Sequence, residues 1–141
     1  MADKTARDIM TAECKCVGED DTVLDAAKQL AELNVGAMPI CGSDDRLKGM
    51  ITDRDIVVKV VAKDRNPAEV SAGELAQGKP VTVGADDDAA EILRTMSEHK
   101  VRRLPVIDGK QLVGIISQAD VATNLDEERV GDLVEAISAA P

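Results

Sequence analysis

The sequence repeats itself after about 65 residues, and this internal repeat restricts the fold more than any other feature. The apolar stretch Val35–Cys41 aligns with Val101–Ile107, with the central prolines 66 positions apart. The following stretch Leu47–Asp55 aligns with Leu112–Asp120 at an offset of 65. A unit of this length is marginally stable alone, because it removes little apolar surface from water. We therefore expect two copies of one structural unit that are stable together.

Each copy is predicted to form a βαββα unit with one long amphipathic helix. Apolar residues at helical spacing mark this helix in both copies. They are Val23, Ala26, Ala27, Leu30 and Leu33 in the first copy, and Ala89, Ile92, Leu93, Met96 and the partly packed His99 in the second. Acidic residues before both helices predict helix capping. A calcium site is not favoured there, because no further ligands follow at calcium-loop spacing.

The remaining segments complete the same pattern in both copies. Short strands are predicted at Lys15–Val17 and Val81–Val83, and closing helices run from about Asp53 to Ala62 and from Ala119 into the C-terminal stretch Asp126–Ala139. The predicted fold class is α/β (α+β), with two βαββα repeats packed as a pseudo-twofold pair and a cleft between their sheets. Repeat 1 is expected over residues 1–66, and repeat 2 with the C-terminal helix over residues 67–141.

Composition excludes several classes of partner. The 141 residues include no Phe, Tyr or Trp, so the chain cannot stack nucleic-acid bases on aromatic rings. A formal net charge of −10 repels nucleic acid and anionic membranes.

No apolar leader or membrane-spanning run is visible, and we expect a cytoplasmic protein. No motif for catalysis or for a metal site is recognisable, so an enzyme is not predicted.

A short motif recurs where the last strand of each copy meets its closing helix. Thr52 and Asp55 in the first copy correspond to Ser117 and Asp120 in the second. This spacing is that of a capping box, which is a structural feature of many helices. Its recurrence, with a glycine three residues before each hydroxyl, favours a binding role as well, because glycine lets a ligand approach a strand backbone closely. A hydroxyl suits a phosphate, and a carboxylate can accept both hydrogen bonds of a ribose diol.

The apolar-Pro-apolar strand and the Gly-apolar-apolar-[Ser/Thr]-x-x-Asp ending in both copies resemble a tandem pair of cystathionine-β-synthase (CBS) domains. The resemblance covers about Thr5 to Leu125 and is nearest to small stand-alone two-domain proteins of the actinobacterial hypoxic-response type. It implies a Bateman module, a regulatory fold that binds AMP, ADP, ATP or S-adenosylmethionine in the cleft. It also implies a homodimeric disk and an effector protein that the sequence does not identify. No other cofactor is required.

The resemblance also assigns roles to individual residues. Thr52 and Ser117 are expected to contact phosphate, and Asp55 and Asp120 to bind the ribose. Arg103 matches the basic residue that family members place before the second strand, whereas the first copy has Ala37 there, so we expect unequal sites. Adenine would lie against aliphatic side chains, for which the candidates are Val17, Met38, Ile40, Val83, Leu104 and Val106.

The three cysteines support an alternative class of function. Cys16 and Cys41 belong to strands that would be neighbours in a CBS-like sheet, so a disulfide between them is plausible. The alternative is a ligand-free structural or redox-responsive dimer related to stress. Reduced, half-buried cysteines are the common state in cytosolic proteins and are slightly favoured by the sequence. A zinc site from these thiols and His99 is less favoured, because His99 lies in the other copy.

Overall fold

The computed structural model describes residues 4–12, 15–76 and 80–138 and divides the chain into two compact units. The first-repeat unit consists of Lys15–Pro80. The second-repeat unit consists of Met1–Cys14 together with Val81–Pro141. Each unit contains a β-sheet, helices and a hydrophobic core of aliphatic side chains, which confirms the predicted mixed α/β class.

The first-repeat unit is built on a three-stranded sheet of order β2-β3-β4. Strand β2 pairs with β3 in parallel, and β3 pairs with β4 in antiparallel orientation. Its elements are β2 (Val17–Gly18), α2 (Val23–Leu33), β3 (Ala37–Cys41), β4 (Leu47–Thr52) and α3 (Asp53–Lys59), followed by 3₁₀ turns at Val61–Lys63, Pro67–Glu69 and Ala72–Leu75. The order strand, helix, strand, strand, helix is the one predicted from the repeat.

The second-repeat unit has a four-stranded sheet of order β1-β7-β6-β5. Strand β5 is parallel to β6, whereas β7 is antiparallel to both β6 and β1. Its elements are α1 (Ala6–Ile9), β1 (Thr11–Ala12), β5 (Val83–Gly84), α4 (Ala89–His99), β6 (Arg103–Asp108), β7 (Gln111–Ser117), α5 (Gln118–Asn124) and α6 (Glu127–Ser138). The additional strand β1 comes from the beginning of the chain.

The residues before the long helices act as helix caps, as predicted. The Thr22 side chain accepts a hydrogen bond from the Asp25 amide at 3.0 Å. In the second-repeat unit, the Asp88 carboxylate accepts one from the Glu91 amide at 2.9 Å. Both bonds satisfy amide groups that have no partner within the first helical turn.

Several predicted boundaries and positions were wrong by a few residues. The first strands of the two repeats begin at Val17 and Val83, and α3 ends at Lys59, where a 3₁₀ turn follows. The closing helix of repeat 2 is interrupted at Leu125, which has extended backbone, and α6 then begins as a separate helix. Leu33, expected on the buried helix face, is 40% exposed, and His99 is also exposed rather than partly packed, because both lie at the last residue of their helices.

The first segment of each repeat packs on the compact unit formed mainly by the other repeat. The Ala6 amide donates to the Asp87 carbonyl at 2.8 Å, which joins α1 to the second-repeat unit. The Ala72 amide donates to the Asp21 carbonyl at 2.7 Å, which joins the turn at the start of repeat 2 to the first-repeat unit. One compact unit is therefore made of two separate stretches of the chain. The division between residues 66 and 67 stays a prediction about the sequence repeat.

Candidate functional site

The junction between β4 and α3 contains a complete capping box. The Thr52 hydroxyl oxygen accepts a hydrogen bond from the Asp55 amide at 3.0 Å, and Asp55 Oδ2 accepts one from the Thr52 amide at 3.2 Å. Both side chains are half-buried. The two residues are thus held together by their own backbone, and the box is a helix cap as well as a candidate binding site.

The junction between β7 and α5 repeats this arrangement in the second-repeat unit. The Ser117 hydroxyl accepts from the Asp120 amide at 3.2 Å, and Asp120 Oδ2 accepts from the Ser117 amide at 2.8 Å. The same carboxylate oxygen also lies 3.1 Å from the Ser117 hydroxyl. The four residues chosen from the motif therefore occupy equivalent positions in the two units, and their contact with a ligand stays a prediction.

The second carboxylate oxygen distinguishes the two junctions. Asp55 Oδ1 lies 3.2 Å from the Lys59 ammonium, one helical turn further along α3. Asp120 Oδ1 instead accepts from the Thr11 hydroxyl at 3.4 Å. Neither partner was identified from the sequence. The i,i+4 spacing could have indicated Lys59, whereas no local signal connects Thr11 to a residue more than one hundred positions away.

Arg103 is placed beside the second-repeat junction by the sheet register. Its Cα is paired with that of Ser117 across β6 and β7, and directly opposed residues project from the same face of a sheet. In the first-repeat unit, Ala37 occupies the corresponding position opposite Thr52. The Arg103 side chain is half-buried, and none of the ion pairs found within the described part of the chain involves it. One junction therefore has a strand-borne cation that the other lacks.

The glycines before the two boxes make room for neighbouring segments of the same chain. A Cβ atom on Gly49 would lie 2.6 Å from the Ala76 Cβ atom. A Cβ atom on Gly114 would lie 2.9 Å from the Thr11 carbonyl oxygen and would also meet the Met10 side chain. The close approach made possible by these glycines is thus used by segments of the same chain, and the expectation that they admit a ligand to the strand stays a prediction.

The six aliphatic residues proposed to contact adenine are buried in the cores of their own units. In the first-repeat unit they are Val17, Met38 and Ile40, and in the second-repeat unit Val83, Leu104 and Val106, with exposures of 3% or less. Val17 pairs with Ile40 and Val83 with Val106 between parallel strands. Each set therefore packs the sheet of its unit, and contact with adenine stays a prediction.

A disulfide joins Cys16 to Cys41 in the first-repeat unit. The Cα atoms are 5.7 Å apart, within the usual range for disulfides, because β2 and β3 are parallel neighbours. Cys41 is almost completely buried, and Cys16 is half-buried. The corresponding residues of the second repeat are Thr82 and Ile107, so this link is specific to the first. Cys14 lies outside the described residues.

Comparison with known proteins identifies the family. A family model described as the CBS domain matches residues 6–62 and again residues 72–127, which together make up most of the chain. The chain belongs to the CBS-domain family. Its two family matches correspond to the two sequence repeats, so the predicted tandem pair is confirmed.

The CBS-domain chain is similar to proteins of known structure. It is 50% identical over 133 residues to hypoxic response protein 1 of Mycobacterium tuberculosis, covering 94% of this chain and 93% of that protein. A crystal structure of hypoxic response protein I with two coordinated zinc ions has a TM-score of 0.82 at 50% identity, covering 87% of this chain and 100% of the other. CBSX2 in complex with AMP has a TM-score of 0.73 at 27% identity, covering 84% and 93% of the two chains.

The described residues of the CBS-domain chain contain neither a metal-ligand cluster nor a membrane-spanning helix. Within residues 4–12, 15–76 and 80–138, no group of three or more His, Cys, Asp or Glu side chains is arranged to hold a metal ion. In the same described ranges, no helix has the length and apolar composition needed to cross a membrane.

Proposed function

We propose that this CBS-domain chain is a regulatory module that binds an adenosine-containing ligand and passes the occupancy to a partner protein without catalysis. The observation that carries the proposal is the pair of equivalent strand-to-helix junctions, each with a hydroxyl and a carboxylate. A CBS-domain protein with 27% identity to this chain binds AMP, which supports the ligand class. ADP, ATP and S-adenosylmethionine belong to the same class and are the alternatives to be tested.

In this proposal the carboxylates of Asp55 and Asp120 accept hydrogen bonds from the ribose diol. Each has one oxygen outside its capping box, and a carboxylate can accept more than one hydrogen bond per oxygen. The hydroxyls of Thr52 and Ser117 contact phosphate, and Arg103 supplies the positive charge that an anionic ligand needs in an acidic chain. The second-repeat junction is therefore the stronger site for a nucleotide with phosphate groups.

Calorimetric titration with AMP, ADP, ATP and S-adenosylmethionine tests this function. We expect at least one of them to bind, with the nucleotides losing affinity in the Arg103→Gln variant because the phosphate loses its cation. A matched control is Arg94→Gln, since Arg94 is an exposed residue of α4 that is paired with Glu91 and Glu98. Absence of binding by all four compounds to the folded protein would refute the proposal.

A bound ligand can also be detected in the protein as purified. The chain contains no aromatic residue, so it contributes almost no absorbance in the near ultraviolet. A ligand with an adenine base would therefore dominate the spectrum. We expect an adenine band that disappears after unfolding and dialysis.

The disulfide favours a second candidate function, that of a structural or redox-responsive dimer in a stress response. The link between Cys16 and Cys41 is the observation that supports it. Under this function the chain needs no nucleotide, and the oxidation state of the pair controls its stability. Thiol counting in denaturant is expected to find one reactive thiol of the three before reduction and three afterwards. Three reactive thiols before reduction would exclude this candidate.

A further inference from the structure

The beginning of the chain brings a hydroxyl group next to the carboxylate of the second-repeat junction. Strand β1 pairs with β7 close to the end of β7, with Thr11 opposite Ile115. The Thr11 hydroxyl donates a hydrogen bond to Asp120 Oδ1 at 3.4 Å. Thr11 is exposed and Asp120 is half-buried, so a ligand at the junction can reach this contact. We call Thr11 Oγ1 and Asp120 Oδ1 the oxygen pair.

Hydrogen bonds within the unit occupy most of the acceptor positions of Asp120. Each oxygen of a carboxylate has about two lone pairs. Oδ2 accepts from the Ser117 amide at 2.8 Å and from the Ser117 hydroxyl at 3.1 Å, which occupies both of its lone pairs. Within the described ranges, Oδ1 accepts one hydrogen bond, from Thr11. The carboxylate therefore keeps one acceptor position, whereas a ribose diol has two hydroxyls to donate.

The Thr11 hydroxyl supplies a second acceptor at the same place. A hydroxyl has one hydrogen to donate and two lone pairs that accept. Because its hydrogen is directed at Asp120, the Thr11 oxygen meets a ligand as an acceptor. The oxygen pair is 3.4 Å apart, a separation comparable to that of the neighbouring hydroxyls of a cis diol. One ribose hydroxyl can thus donate to Asp120 Oδ1 and the other to Thr11 Oγ1.

Other hydrogen bonds hold the beginning of the chain in place. The Ala6 amide donates to the Asp87 carbonyl at 2.8 Å, and the Arg7 amide donates to the Ala85 carbonyl at 2.9 Å. Both residues of β1 are paired with β7. The side-chain bond of Thr11 is exposed and longer than a typical bond between two oxygens, so it contributes little to stability. Its effect on a ligand can therefore be measured in a folded variant.

The first-repeat junction has a different neighbour at the corresponding carboxylate. Asp55 Oδ1 lies 3.2 Å from the Lys59 ammonium. An ammonium group has three donors and no acceptor. Lys59 therefore cannot accept a ribose hydroxyl, whereas Thr11 can, and the two junctions differ in how they would meet a sugar.

We propose that Thr11 determines the sugar specificity of the second-repeat junction by accepting one hydroxyl of a ribose diol while Asp120 Oδ1 accepts the other. This inference rests on the proposed function, because it concerns the same site. It adds a residue from outside the recurring motif. It also specifies the sugar of the ligand as ribose in preference to 2′-deoxyribose and 3′-deoxyribose.

Calorimetric titration with AMP, 2′-deoxy-AMP and 3′-deoxy-AMP tests the inference. The wild type is expected to bind AMP more tightly than both deoxy compounds. Thr11→Val keeps the branched shape and removes the hydroxyl, so it should weaken AMP binding about three- to tenfold, the effect of one neutral hydrogen bond. It should leave the affinity for one deoxy compound almost unchanged, because that compound already lacks the hydroxyl that Thr11 accepts.

Two further variants serve as controls. Thr11→Ser retains a hydroxyl and should restore the preference for AMP. Thr95→Val is the matched control, because the Thr95 hydroxyl donates to the Glu91 carbonyl within α4, and it should leave all three affinities unchanged. Far-ultraviolet circular dichroism verifies that the variants are folded. Equal weakening of all three compounds by Thr11→Val would indicate a general change of the site and would overturn the inference, as would an unchanged affinity for AMP.

The wild type alone separates this inference from the proposed function. Equal affinity for AMP and both deoxy compounds would overturn the inference and leave the proposed function intact. A wild type that does not bind AMP would also overturn the inference. The proposed function would be lost with it only if ADP, ATP and S-adenosylmethionine also failed to bind.

Discussion

At the scale of single residues, each capping-box carboxylate uses one oxygen for the box and has a second oxygen outside it. Asp120 Oδ2 closes the box with Ser117, whereas Oδ1 accepts a hydrogen bond from the Thr11 hydroxyl at 3.4 Å. Asp55 has the same box, but its outer oxygen is close to Lys59. In the proposed binding mode, the ammonium group of Lys59 would compete with a ribose for that oxygen. The two carboxylates are therefore equivalent as helix caps, and we expect them to differ as ligand acceptors.

Asp120→Ala separates these two roles. We expect it to weaken nucleotide binding by roughly 1.5–3 kcal/mol, the usual contribution of hydrogen bonds to a charged group. It should also lower the free energy of unfolding by about 1 kcal/mol through loss of the cap. Calorimetric titration measures the first effect and denaturant unfolding the second. Asp55→Ala is the matched control, with a similar loss of stability and a smaller loss of binding. Unchanged affinity in a folded Asp120→Ala protein would show that Asp120 is only a cap.

Asp8 predicts a dependence of stability on pH. The Thr5 amide donates to Asp8 Oδ2 at 2.9 Å, and this bond, together with one from the Thr5 hydroxyl, lowers the pKa of Asp8 below its ordinary value. A lowered pKa in the folded state stabilises the protein above the unfolded pKa of about 3.9, and this stabilisation is lost as the pH falls through the folded value. Asp8→Asn should therefore be less stable than the wild type near neutral pH.

The difference in stability between the wild type and Asp8→Asn should disappear in acid, because the protonated wild-type carboxyl is then uncharged, as the amide in the variant is at every pH. Urea unfolding followed by far-ultraviolet circular dichroism over a series of pH values measures it. A difference that stays constant from neutral pH to below both pKa values would show that the charge of Asp8 makes no contribution.

At the scale of elements, local patterns predicted the helices well and the strand contacts less well. The spacing of apolar residues identified α2 and α4, and the residues before them proved to be caps, because both features depend on neighbours within one or two turns. The purpose of Gly114 was not predictable. Its requirement for a small residue arises from β1, which reaches β7 from the other end of the chain. Leu104 and Val106 are likewise buried by residues from several elements of the unit, so their burial could not be predicted from neighbours in the sequence.

Gly114→Ala tests the close packing of β1 on β7. The new Cβ atom would lie 2.9 Å from the Thr11 carbonyl oxygen, so β1 must shift away from β7, and the Met10 side chain must move as well. We expect a loss of about 1–3 kcal/mol in the free energy of unfolding, as for other overpacked sites. Gly131→Ala is the control, because nothing lies within 4 Å of its Cβ position in α6. That change should stabilise the protein by up to about 1 kcal/mol, since alanine favours helix over glycine.

At the scale of the whole molecule, the repeat in the sequence does not determine which segments form a compact unit. The first segment of each repeat hydrogen-bonds to the other repeat, through Ala6 and Asp87 in one case and Ala72 and Asp21 in the other. A sequence repeat predicts similar local structure in the two copies. It does not predict whether the copies exchange segments, because the exchanged and the unexchanged arrangement would show the same repeat in the sequence.

The disulfide adds a constraint on the whole chain that the second repeat lacks. It closes a loop with a sequence separation of 25 residues, and loss of such a link lowers the free energy of unfolding by about 3 kcal/mol, because the unfolded chain becomes less restricted. Reductant should therefore lower the unfolding midpoint of the wild type and leave that of Cys16→Ser unchanged. Cys14→Ser keeps both bonded cysteines and should respond as the wild type does. If reductant still destabilises Cys16→Ser, another pairing of thiols is responsible for the redox sensitivity. If reductant has no effect on the wild type, β2 and β3 need no covalent link.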